Sequence, residues 1–209
     1  MGSIRTVAIL LFDDVEVLDF AGPLEVFGLA RTASGERAFE VVTISINPGD
    51  VLACNNLRVV PTRAGSQPSV VDILVIPGGI GTRREMVNPE MLEFIRGASS
   101  SARLTLSVCT GALLLGAAGL LMGRSATTHW AAMDELRSLD TGADILPDAR
   151  VVDNGDVVMS AGVSAGIDAA LHIVARLFGP AQAEKTARAM EYDWDSAGVP
   201  SRKVVSAVR

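Results

Sequence analysis

The chain has 209 residues, 49% hydrophobic and 20% charged, with a formal net charge of −6 at pH 7. That length suits one α/β domain with a substantial buried core and is short for two, and the apolar content excludes a disordered chain. The acidic balance argues against nucleic acid or an anionic membrane surface as main partner, because both are met by clustered Lys and Arg.

Apolar runs of strand length alternate with helical patterns, the arrangement of βαβ units around a mostly parallel sheet. The opening run meets a charged turn at Asp13–Asp14 too early for a secretory or membrane segment. Thr6 to Phe12 is expected as a strand buried on both faces, and Phe20 to Ala30 as a helix with Pro23 in its first turn. Phe39 to Ser45 reads as a second strand, and Val51 to Val60 as short edge or hairpin strands. Asp72 to Ile76 is a third strand, running into Pro77-Gly78-Gly79-Ile80-Gly81. Asn88 as cap and Pro89 at the first helical position start a helix to about Ala98. Leu104 to Val108 is a fourth strand, followed by an all-apolar helix, Thr110 to Leu121, closed by Gly123. Thr128 to Leu139 reads as the next helix, and Asn154-Gly155 signals a hairpin between Arg150–Asp153 and Val157–Ser160. Helices Ser164 to Phe178 and Ala181 to Met190 follow, separated by Gly179-Pro180. The chain thus reads as a single doubly wound α/β domain over residues 1–191, flavodoxin-like, with a tail over 192–209 that shows no clear period.

The sharpest local feature is Leu104-Thr-Leu-Ser-Val-Cys109-Thr110-Gly111. A buried strand delivers a cysteine straight into a helix, the logic of a nucleophile elbow, and a helix N-terminus favours thiolate over thiol. The thiol is therefore expected to fall from near 8.5 to near 6, a shift of roughly 3 kcal/mol. The competing reading is a small buried hydrophobe. Cys54 has no comparable setting, and two cysteines make no disulfide framework, so a reduced, cytoplasmic chain is expected. Glycines Gly78 and Gly79 end a strand and leave N–H groups open to a developing anion, a weak signal on its own. Asp19, between Leu18 and Phe20, has an apolar setting that raises its affinity for a proton; a helix N-cap is an equal reading. Asp13, Asp14 and Glu16 read as solvated loop charges. His129 is a candidate pocket residue, although Thr128 as a helix cap explains part of that motif; His172 reads as structural. With these two histidines alone, no metal cluster is expected.

Taken together, Leu18-Asp19-Phe20-Ala21-Gly22-Pro23, Ile76-Pro77-Gly78-Gly79, Ser107-Val108-Cys109-Thr110-Gly111, the run Gly119 to Trp130, and Ser160 to Asp168 resemble the ThiJ/PfpI superfamily, of class I glutamine-amidotransferase-like fold. Within it the chain looks like the isocyanide hydratases and the sensing domains of AraC-type regulators. The resemblance implies a homodimer acting on a small-molecule substrate without metal or organic cofactor. It implies Cys109 as nucleophile on the isocyanide carbon, Asp19 as general acid and base, and Thr110 supplying a backbone N–H or hydroxyl. Gly78, Gly79, Gly162, Val163 and His129 would border the pocket. Thr110 stands where protease-like members carry histidine after the cysteine, and Asp19 where the glyoxalase and deglycase branch carries Glu. The alternatives are a non-catalytic domain that senses a small molecule or oxidation, and a glyoxalase or amidase-like hydrolase.

Overall fold

The strands Ile73–Ile76, Leu104–Val108 and Val157–Ser160 are buried at every position because both faces of the sheet are covered, which removes the alternation of a half-exposed strand. The computed structural model describes residues 4–65, 71–194 and 204–206. It runs β1 (Arg5–Leu10), α1 (Val17–Leu29), β2 (Phe39–Ser45), β3 (Val51–Ala53), β4 (Leu57–Val59), β5 (Arg63–Ala64), β6 (Ile73–Ile76), α2 (Thr82–Glu85) and α3 (Pro89–Ser101). The second half adds β7 (Leu104–Val108), α4 (Gly111–Ala117), β8 (Ser125–Ala126), α5 (Met133–Ser138), β9 (Asp144–Ile145), β10 (Val151–Asp153), β11 (Val157–Ser160), α6 (Ala165–Phe178), α7 (Pro180–Ala189) and β12 (Val204–Ser206).

Eight strands form the main sheet in the order β12-β10-β11-β7-β6-β1-β2-β5, and every pair is parallel except β10 with β11. From β1 the chain moves outward to β2, then returns to the other side of β1 as β6. Right-handed crossovers moving in opposite directions put α1 and α3 on opposite faces. The switch point therefore lies between β1 and β6, where a doubly wound sheet opens a crevice at its carboxyl edge. The doubly wound fold is as expected. No helix among the described residues is long and apolar enough to cross a membrane.

Several boundaries differ from the sequence reading, each for a local reason. Helix α1 starts at Val17, so Asp19 lies in its first turn rather than at the cap, and Pro23 lies inside the helix. Proline there removes the N–H that would reach the carbonyl of Asp19. Helix α4 ends at Ala117 instead of Leu121, because Gly119, not Gly123, is the left-handed stop, at φ 77°. The helix expected from Thr128 begins only at Met133, preceded by a 3₁₀ turn whose cap is His129, its Nδ1 accepting from Ala131 N–H at 3.2 Å. The hairpin is present, but Asn154 N–H closes onto Val157 O at 2.9 Å, so the turn is Gly155-Asp156. Asn154 instead reaches out of the turn to both backbone groups of Ser125. Strands β3 and β4 form a separate hairpin, β8 and β9 a parallel pair that the sequence reading did not separate from loop. Of the expected tail, residues 204–206 pair with β10, while 195–203 and 207–209 lie outside the described residues.

Candidate active site

Strand β7 ends at Val108, and Cys109, at φ 57°, turns the chain toward α4. A left-handed conformation costs a non-glycine residue about 1–2 kcal/mol, so it persists only where neighbours enforce it. Here both backbone groups of the cysteine are held. Its N–H donates to Ala161 O at 3.1 Å and Ser160 O at 3.3 Å, and its carbonyl accepts from Thr128 Oγ1 at 2.8 Å. Gly111 lets the turn close, since a Cβ there would sit 2.2 Å from Ile76 O. The sequence reading treated Thr128 as a helix cap and so missed this support.

Asp19 approaches from α1. Close packing brings it in: a Cβ on Gly22 would meet Ile167 of α6 at 2.9 Å, and one on Gly166 would meet Val108 at 2.8 Å. The carboxyl is fully buried, and its Oδ2 accepts from Gly78 N–H at 2.9 Å. Its Oδ1 has no hydrogen-bond partner among the described residues. Burial raises its pKa from 3.8 to about 7, against the lowering pull of the Gly78 N–H and the Cys109 thiol. The expected proton-holding carboxyl is thus present.

The expected low-pKa thiol is not. Cys109 is only 6% exposed, and burial first, then the negative charge of Asp19, pushes its thiol up to about 12. Desolvation and a like charge outweigh the N–H groups of Thr110 and Val163, which favour the thiolate. α4, at seven residues, supplies only a short dipole. Val163 itself is strained, a β-branched residue at φ 53° whose N–H serves both Cys109 and Asp19.

The glycine turn differs from expectation in its hydrogen bonds. Gly78 N–H is taken by Asp19, and Gly79 N–H donates to Thr110 Oγ1 at 2.9 Å, which returns a bond to Gly79 O at 3.1 Å. Neither N–H is open to an anion. Gly78 is required by space: a Cβ would lie 2.5 Å from Thr110 N and 2.8 Å from Asp19 Oδ2. Gly162 packs on the imidazole of His129, with room for no Cβ, the nearest ring carbon being 2.1 Å from its position. His129 is half-buried and its ring lies against Gly162.

The remaining candidates lie outside this cluster or at its edge. Cys54 is half-buried, with Sγ donating to Asp14 O at 3.3 Å, and burial raises its pKa. The loop acids are partnered: Asp13 accepts from Leu52 N–H at 2.9 Å, and Asp14 pairs with Arg84 at 3.0 Å. His172 is structural, bonding Asp153 at 2.7 Å. No cluster of potential metal ligands occurs among the described residues.

A cysteine on an elbow at the carboxyl edge of a doubly wound sheet, beside a buried carboxyl, defines a glutamine-amidotransferase-like α/β protein. The chain belongs to the DJ-1/PfpI family, whose pattern matches residues 5–176. It is 38% identical over 187 residues to the isonitrile hydratase of Pseudomonas putida, covering 89% of this chain and 78% of that protein. It is 26% identical over 175 residues to the HTH-type transcriptional regulator GbdR of Pseudomonas aeruginosa, 84% of this chain but 47% of the regulator. Among solved structures, a THiJ/PfpI family protein from Pseudomonas syringae superposes with a TM-score of 0.81 at 34% identity, over 92% of this chain and 77% of that one. Drosophila melanogaster DJ-1beta shares the fold, with a TM-score of 0.79 at 19% identity over 92% of this chain and all of that one.

Proposed function

We propose that the chain hydrates small isocyanides to N-substituted formamides, with Cys109 as nucleophile and Asp19 as general acid and base. The observation that carries this reading is the pair itself: a buried carboxyl with pKa about 7 beside a thiol held up at about 12. At neutral pH the carboxyl is part-ionised while the thiol keeps its proton, and among the described residues Oδ1 of Asp19 has no hydrogen-bond partner.

Asp19 takes the thiol proton as Sγ bonds to the terminal isocyanide carbon, then gives it to that carbon, forming a thioimidate. The N–H groups of Thr110 and Val163 stabilise charge on sulfur during attack and departure. Water then adds to the carbon while Asp19 accepts its proton and passes it to nitrogen. The C–S bond breaks, the formamide leaves, and the second water proton returns to sulfur. The sum is one isocyanide plus one water to one formamide, with no redox change.

His129 and Gly162 form one wall for the substituent. We take the working unit to be a homodimer: Leu18, Leu52, Leu57 and Ile80 are exposed apolar side chains on α1, the β3–β4 hairpin and the glycine turn, next to the site. The hairpin is fastened there by Asp14 N–H to Leu52 O at 2.8 Å and Cys54 N–H to Val15 O at 2.9 Å. Oxidation sensing is less well supported, because it uses an accessible, low-pKa thiol and Cys109 is buried with its pKa raised. The test is loss of an alkyl isocyanide with appearance of the formamide, wild type beside Cys109→Ala. Turnover that disappears in the variant supports the reading; equal turnover in both removes Cys109 from the reaction.

A further inference from the structure

Helix α2 is a single turn of four residues, Thr82–Glu85, too short to keep its place by its own backbone bonds. Its position is set by what its side chains grip. Arg84 donates to Asp14 Oδ2 at 3.0 Å and to Asp13 O at 2.7 Å, on the loop after β1. Arg83 reaches the other way, and every nitrogen of its guanidinium is engaged. Nε donates to Glu135 Oε1 at 3.0 Å and Nη2 to Glu135 Oε2, a fork across to α5. Nη1 donates to Gly79 O at 3.3 Å and Thr82 Oγ1 at 3.2 Å.

The Gly79 carbonyl joins this pair to the active site. Thr82 Oγ1 donates to it at 2.8 Å and Thr110 Oγ1 at 3.1 Å. Thr110 follows the nucleophile, and its N–H favours charge on sulfur. At the far end, Glu135 stands on α5, and the approach to α5 carries Thr128 and His129. The Thr128 hydroxyl holds the Cys109 carbonyl, and the His129 ring lies against Gly162. The contacts close a ring: Cys109, Thr110, Gly79, Arg83, Glu135, then back along the chain to Thr128 and Cys109. Cutting it at Arg83 frees the glycine turn from α5 and leaves Thr110 bonded to a carbonyl that can shift. Small misplacements of this kind are costly to catalysis.

We propose that Arg83, braced by Glu135, is a positioning residue: it fixes the Gly79 carbonyl and, through the Thr110 hydroxyl, the Thr110 N–H at the sulfur of Cys109. The two side chains are 35% and 30% exposed, so the pair adds little to stability. Its forked geometry supplies direction, which a lysine does not reproduce. The effect on turnover rests on the hydratase reading; the effect on the thiol does not.

Iodoacetamide alkylation of Cys109 at pH 9, read by peptide mass mapping, is measured beside isocyanide turnover. The variants are Arg83→Gln, Arg83→Lys, Glu135→Gln and the double Arg83→Gln/Glu135→Gln. A misplaced N–H stabilises thiolate less, so Arg83→Gln should alkylate about tenfold more slowly, the loss expected when one charge-assisted bond loosens. A merely structural role would act the other way, because loosening uncovers the buried sulfur and speeds alkylation. Turnover should lose about tenfold in kcat with KM within about twofold, as for a contact that acts while charge is on sulfur. Glu135→Gln should change in the same direction. Lys keeps the charge without the fork and should resemble Gln. The double variant should be no slower than Arg83→Gln alone, because the two side chains act as one unit. Unchanged or faster alkylation in Arg83→Gln overturns the assignment. So does a wild-type rate in Arg83→Lys, which would leave only charge, and so do additive losses in the double variant. With the alkylation series as expected, absence of wild-type turnover refutes the hydratase reading and still supports the positioning role.

Discussion

Replacing Asp19 by Asn should make the protein more resistant to unfolding as the pH rises, although it should disable the proposed chemistry. The carboxyl has a pKa of about 7 in the folded chain against 3.8 as its ordinary value. Between those values the folded protein keeps a proton that the unfolded chain has lost. Unfolding then releases a proton, so wild-type stability falls as pH rises through this window and levels off above it. A difference of about three units at 1.36 kcal/mol each makes the full penalty roughly 4 kcal/mol. About 1 kcal/mol of it is already present at pH 4.5, so roughly 3 kcal/mol should accrue between pH 4.5 and pH 8. Asn cannot titrate and escapes that loss. It keeps an oxygen for the Gly78 N–H but turns an amide N–H₂ toward the space facing Oδ1, a fixed cost of about 1–3 kcal/mol. That fixed cost cancels when the two proteins are compared at two pH values. The assay is urea unfolding of both proteins at pH 4.5 and pH 8, followed by tryptophan fluorescence at one protein concentration. The stability gap should move in favour of the variant by roughly 3 kcal/mol from the lower to the higher pH. A gap that stays constant, or moves the other way, refutes the raised carboxyl.

In the proposed reaction the same pair controls reactivity. For wild type, kcat/KM on an isocyanide should rise with pH through a single inflection near 7, because Asp19 must be ionised to take the thiol proton, and no downturn should appear below pH 9 with the thiol at about 12. A bell centred on neutral pH would contradict that order of the two groups. Asp19→Asn should lose about 10²–10⁴ in turnover yet alkylate faster at Cys109 with iodoacetamide at pH 9, since the charge that suppresses the thiolate is gone; peptide mass mapping separates Cys109 from Cys54, and unchanged alkylation would detach the carboxyl from the thiol. Thr128→Val keeps the side-chain shape but leaves the Cys109 carbonyl without its 2.8 Å donor, so stability should drop by about 1–3 kcal/mol and turnover with it. A variant matching wild type in both thermal unfolding and turnover would show the elbow to be held without it.

The sheet was legible because its strands carry their own evidence. Ile73–Ile76 and Leu104–Val108 are buried at every position, and a short, mainly apolar run without charge that leads into a glycine turn or a helix has few other uses. Asn88-Pro89 was readable for the same reason, as cap chemistry is local, and Asn88 Oδ1 does accept from Glu90 N–H at 3.1 Å. Helix ends failed where a long-range partner competed with the local rule. Thr128 is a good cap in isolation, but the Cys109 carbonyl, nineteen residues earlier, claims its hydroxyl. Asn154 is a good turn residue, but Ser125 uses its side chain twenty-nine residues away.

The site divides along the same line. Chain order alone places Cys109, the Gly78 turn and Asp19 at the carboxyl ends of β7, β6 and β1, which are adjacent only once the sheet order is known. Their electrostatics could not be read that way, because the sign of the shift at Cys109 depends on two opposing effects of comparable reach. A helix N-terminus draws the thiol pKa down, and it is visible in sequence as a strand running into a helix. Burial to 6% exposure and the facing Asp19 drive it up, and both exist only in the assembled fold. The outcome changes the chemistry: a free thiolate waits for any electrophile or oxidant, whereas in the proposed reaction this thiol becomes a nucleophile only as Asp19 removes its proton. Attack in that proposed reaction is thereby tied to a substrate already seated between sulfur and carboxyl, able to receive that proton on its own carbon.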